Sequence, residues 1–167
     1  MTLRPILRFP NPRLRLKASN IELFDEDLKT LVSDMYDTMY TSFGIGLAAT
    51  QINVQLHIVT IDLSEAKDQP LTLINTEILA QQGTQVCSEG CLSLPGIFAD
   101  VTRAKEIRVK TFDIDGQVRE FEADGLLAVC IQHELDHLQG KVFVDHLSPL
   151  KRERLLLKMT KHLRETL

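Results

Sequence analysis

At 167 residues, 44% of them hydrophobic, the chain has the length and composition for one domain with its own core. A net charge of −4 argues against a protein that holds DNA or a membrane surface by overall positive charge. The opening Met1–Pro5 holds no apolar run of signal-peptide length, and no stretch could span a bilayer, so a cytoplasmic protein with no membrane association is expected. Three cysteines, Cys87, Cys91 and Cys130, do not suit a disulfide framework and leave ligand, nucleophile or core filler as roles.

Taken in order, residues 1–24 read as irregular, because Pro5, Pro10 and Pro12 block a long helix. From Asp25 the apolar positions Leu28, Leu31, Val32, Met35, Tyr36 and Met39 follow helical spacing up to a stop near Ser42-Phe43-Gly44. Gly44-Ile45-Gly46-Leu47-Ala48-Ala49-Thr50-Gln51 follows, where two glycines and small side chains permit close approach of another chain. This segment lacks the third glycine of a dinucleotide loop and the Gly-Lys-Ser/Thr of a P-loop. Leu56–Ile61 and Leu71–Asn75 read as short strands, and residues 105–112 and 117–121 as a hairpin about Asp115-Gly116. His57 falls in a strand without metal-type neighbours, while His146 and His162 read as surface or packing residues. Between the strands, Glu89-Gly90-Cys91-Leu92-Ser93-Leu94-Pro95 places a cysteine on bent, extended backbone.

The densest signal is Gln132-His133-Glu134-Leu135-Asp136-His137, an H-E-x-x-H sequence. Asp124 as N-cap and Gly140 as stop predict a helix across it, apolar round most of its circumference and therefore buried. Positions i and i+4 share a face, so both imidazoles can meet one ion, and Glu134 stands one step round, placed to take a proton from an attacking water. The last segment starts at Ser148-Pro149 as N-cap and first residue of a helix. It carries six basic against two acidic side chains, a net of +4 on an acidic protein, which suits either a solvated face or an anionic partner.

Three of these segments together resemble the peptide deformylase family, whose pattern is G-x-G-L-A-A-x-Q, then E-G-C-L-S, then Q-H-E-x-D-H. Here they stand as Gly44–Gln51, Glu89–Ser93 and Gln132–His137. The likeness covers essentially the whole chain, 1–167, as one metallohydrolase domain. It implies an α+β fold with antiparallel β-sheets around a central H-E-x-x-H helix, flanked by an N-terminal and a C-terminal helix. It implies hydrolysis of the N-formyl group from the initiator methionine of nascent polypeptides. Cys91, His133 and His137 would bind the metal and Glu134 would be the general acid/base. Gln51 and the Leu92 N–H would stabilise the oxyanion. The Gly44-Ile45-Gly46 backbone would pair with the N-formylmethionyl peptide, and Glu89 and Gly90 would bind it too.

The resemblance further implies ferrous iron, with zinc, nickel or cobalt as substitutes, and a ribosome contact through the basic last helix. Many bacterial members carry an acidic residue and an arginine near Pro95, where this chain has Gly96 and Ile97. That departure leaves the grip beyond the first substrate residue open. Two other readings of the same residues are a metallopeptidase of another H-E-x-x-H class and a structural zinc module using Cys87 with Cys91.

Overall fold

The computed structural model describes residues 2–167; Met1 lies outside them. Three α-helices, α1 (Glu26–Thr41), α2 (Gly125–Leu138) and α3 (Pro149–Glu165), accompany five strands. The strands are β1 (Gly46–Ala48), β2 (Ile58–Ile61), β3 (Leu71–Cys91), β4 (Leu94–Phe112) and β5 (Val118–Asp124). They form one antiparallel sheet in the order β1-β2-β3-β4-β5. The expected α+β class therefore holds, with one connected sheet in place of several.

The helix ends follow local chemistry. The Asp25 carboxylate accepts from the Leu28 N–H and caps α1, and Ser148 accepts from Lys151 N–H with Pro149 at the first position of α3. Asp124 precedes α2 but makes no side-chain capping bond. Gly140, at φ 76, ends that helix region with Arg15 packed on its Cα.

Alternation along the strands divides the core between the two faces of the sheet. Val59, Ile61 and Leu73 pack with Ala128, Ile131 and Leu138 of α2. Their neighbours Ile58 and Ile74 pack with Leu28, Val32, Met35 and Met39 of α1. Each such aliphatic side chain contributes about 1.5–3 kcal/mol on full burial. α3 covers a third cluster, where Met159 meets Leu94, Ile97, Val101 and Phe143.

The long β3–β4 hairpin differs from the short strands expected. The register shifts at Ile74/Glu77, Ile78/Ala80 and Glu89/Cys91, and between the last two shifts residues 80–89 pair in unbroken register although they show no apolar alternation. The last bulge re-aims the chain just before Cys91. Residues 2–24 are irregular as expected, apart from a 3-10 turn at Pro12–Arg15, yet they are tied across the molecule. Leu7 N–H donates to Gln51 O, Phe9 N–H to Ser93 O and Ala18 N–H to Leu138 O.

Candidate metal centre

One cleft of about 510 Å³ runs between β1, the Cys87–Phe98 turn region and the first two turns of α2. At its base Cys91, from the end of β3, meets His133 and His137 of α2, with one ligand atom from each lying within 4.8 Å of the others. Cys91 Sγ is 3.2 Å from His137 Nε2. Cys87 lines the cleft but stands outside this group, so the two cysteines do not share one site. Cys130 is buried in the wall, and burial pushes its thiol up to about 12, leaving it protonated and inert.

The electrostatics suit a cation. Burial alone would lower His133, but hydrogen bonds with Cys91 and Glu89 outweigh it and hold the imidazole well above its ordinary value. His137 is pushed well below by burial and then by its positive neighbours His133 and Arg103. One positive charge is thus favoured among these three side chains and a second is resisted. His137 Nδ1 and Glu134 Oε2 are buried with no hydrogen-bond partner among the described residues. Buried polar atoms left unpaired mark a place where something further is meant to bind. With two imidazoles and a sulfur converging beside them, this donor set fits a divalent transition metal.

Glu134 is pushed up to about 7 by burial, against an opposing pull from His133. Its position explains Gly46: a β-carbon there would stand 2.6 Å from Glu134 Oε1. Gln51, fully buried, accepts from Ala48 N–H through Oε1 and donates from Nε2 to Ser93 Oγ at 3.1 Å. The same nitrogen is 3.5 Å from Cys91 Sγ, so the amide points at the ligand cluster. Leu92 packs its side chain on Gly44 in the two-residue turn between Cys91 and Leu94. Ile45 O accepts from Asp62 N–H, so that carbonyl is spent inside the sheet, while β1 has a sheet neighbour on one side only.

Glu89 lines the cleft, and its carboxylate is taken up by protein partners: Oε1 is 2.7 Å from His133 Nδ1, and Arg103 grips both oxygens, Nε to Oε2 and the second guanidinium nitrogen to Oε1, at 2.8 Å each. The Arg103 guanidinium, about 4% exposed, also donates to Asp136 Oδ2 at 2.6 Å, and His146 Nε2 lies 2.7 Å from that oxygen. Despite burial, the bonds from Arg103 and His133 hold Glu89 down at about 2. This network fixes which nitrogen of His133 faces the cluster, the usual task of partners behind a metal-binding histidine. Arg103 and the role of His146 are not visible from motifs. The available signal is strand parity, since Arg103 shares its inward face of β4 with Val101, Ile107 and Val109.

A cysteine sulfur at a strand end and two helix-borne imidazoles converging on one point, with an unpaired acid beside them, define a metal-dependent hydrolase centre. The polypeptide deformylase family model matches residues 3–153. Peptide deformylase 2 of Xanthomonas campestris is 56% identical over 164 residues, covering 96% of each chain. A peptide deformylase of Stenotrophomonas maltophilia is also 56% identical, with the same coverage. The crystal structure of a peptide deformylase from Legionella pneumophila superposes with a TM-score of 0.95 at 46% identity, over 99% of this chain and 98% of that one. One from Ehrlichia chaffeensis, in complex with actinonin, gives 0.91 at 36%, over 97% and 98%. The chain belongs to the polypeptide deformylase family and is a hydrolase that acts on peptides and binds a divalent metal.

Proposed function

We propose that residues 1–167 act as one metallohydrolase domain that removes the N-formyl group from the initiator methionine of nascent polypeptides and releases formate. The observation that carries this reading is the convergence of Cys91, His133 and His137 within 4.8 Å, beside the buried, unpaired acid of Glu134. Cys91, His133 and His137 hold the ion. The ion is ferrous iron in the cell, and zinc, nickel or cobalt can replace it, since thiolate and imidazole suit all four. When bound it supplies Lewis acidity and makes the attacking water acidic at neutral pH.

Glu134 takes the water's proton and later delivers it to the methionine nitrogen as the C–N bond breaks. An acid poised near 7 serves both steps, and such transfer contributes typically about 10²–10⁴ in rate. The Gln51 amide and the Leu92 N–H donate to the formyl oxygen as it gains charge, each worth about 3–4 kcal/mol if it acts as other oxyanion donors do. Ser93 keeps the Gln51 amide aimed. The peptide adds as a strand along the open edge at Gly44-Ile45-Gly46, with the Gly90 backbone across from it. The methionine side chain enters the apolar wall of Val129 and Cys130. Glu89 acts through His133 and not on substrate.

The decisive measurement is formate release from formyl-Met-Ala-Ser by protein loaded anaerobically with a divalent metal. Formate equal to new amino termini is expected. Cleavage of internal peptide bonds without formate would favour a metallopeptidase instead. α3 supports a second contact. Its basic face docks on an anionic ribosomal surface in the cytoplasm, binding that weakens steeply with salt. Unchanged ribosome co-sedimentation after deletion of 150–167 would refute that contact.

A further inference from the structure

Two aromatic side chains at the mouth of the cleft belong to neither the metal cluster nor the core. Phe43 is 88% exposed and Phe98 is 67% exposed, and both line the cleft that holds His133 and Glu134. Half-exposed Ile45 and Leu126 stand beside them on the same cleft. A lone exposed apolar residue is ordinary, but four gathered on the rim of one cleft mark a binding surface.

Both rings are held in place. Phe98 lies on the Gly90 backbone, where a β-carbon would stand 2.5 Å from the ring. Phe43 adopts φ 59, a left-handed conformation that side chains of its size rarely take, directly before the edge strand. Lys67 Nζ sits 5.6 Å from the Phe43 ring.

No free charge competes on the lining. Glu89 is committed to Arg103 and His133, and the remaining charged lining residues, His133 and Glu134, sit at the base. Gly96 is occupied by the His162 imidazole of α3, and Ile97 is buried in the cluster beneath α3. The side chain that this segment turns to the cleft is therefore Phe98.

Resting on the deformylase reading, we infer that Phe43 and Phe98 form an apolar clamp on the substrate's second side chain. The chain would then select formyl-Met peptides whose second residue is bulky and apolar. A peptide laid down as an added strand points successive side chains to opposite sides. With methionine directed to the wall of Val129 and Cys130, the next side chain turns outward to the rim.

The test is kcat/KM for formyl-Met-X-Ser peptides, X being Ala, Leu, Phe, Glu or Lys, on metal-loaded protein. Leu and Phe should exceed Ala by about tenfold, the low end for added methylenes in an apolar site, and should exceed Glu and Lys by more. In F43A, F98A and the double variant the Leu-to-Ala ratio should fall towards one, chiefly through KM. V118A, an exposed apolar site on β5 away from the cleft, should keep the wild-type ratio. A wild-type ratio near one, a preference for Glu or Lys, or a ratio that survives in the double variant would overturn the clamp while leaving deformylation standing. Absence of formate from every peptide would overturn both.

Discussion

His133 and Phe98 face the same cleft, yet they are held on opposite terms. His133 is buried and locked by Glu89, which Arg103 grips with two bonds, and Arg103 is itself tied to Asp136 and His146. Phe98 is largely exposed and rests on a single glycine. At the base, each group is fixed by several others, so one change propagates. At the rim, Phe98 packs on the Gly90 backbone and Phe43 stands largely exposed, so each ring can be exchanged alone. Chemistry is built into the part that cannot vary singly, and choice of peptide into the part that can.

The contrast is broken most severely at the base. Glu134→Gln should lower kcat by about 10²–10⁴ while the bound metal, measured by atomic absorption, stays at wild-type stoichiometry. Arg103→Met leaves the buried Glu89 and the half-buried Asp136 without their shared cation. Unfolding by urea should show a loss of about 3–5 kcal/mol, and metal affinity in a chelator competition should weaken about 10–100-fold. Gly46→Ala forces a methyl against Glu134 Oε1 and displaces it. A misplacement on that scale costs about 10² in kcat, with metal content unchanged.

The smallest effect is sought away from the cleft. Arg15 and the Val142 N–H hold Asp145 below its ordinary value of 3.8 in spite of partial burial. Its contribution is present above that value and is lost as pH falls through the lower folded one. Asp145→Asn should therefore cost less than about 1 kcal/mol at pH 7 and flatten the acid limb of a stability–pH curve.

The helix carrying the histidines was legible because its signals are local: Asp124 before it, Gly140 after it and four-residue spacing within it. α1 was legible for the same reason. The long hairpin was not. Residues 80–88 are mostly exposed, contain Gly83 and show no apolar alternation, and pairing with 100–108 makes them a strand. The ligand residues of the cluster sit in motifs and could be named, whereas Arg103 acts through partners 14 and 33 positions away. Glu89 stands in the same motif as Cys91, but its bonds to Arg103 and His133 are long-range and leave no mark on the motif. Between Glu89/Ala99 and Cys91/Leu94 the register shifts, and Pro95-Gly96, with Gly96 at φ 80, is the one local sign of it.

Residues 2–10 have no regular structure, yet the Leu7 amide tethers the loop that bears Gln51 and the Phe9 amide tethers the one that bears Ser93. Those two loops bracket the cluster, and the irregular segment is the cord that draws them together. A nick or trim ahead of Pro10 would slacken both at once, though every strand and helix stayed intact. An enzyme that edits the beginnings of other chains thus depends on the integrity of its own.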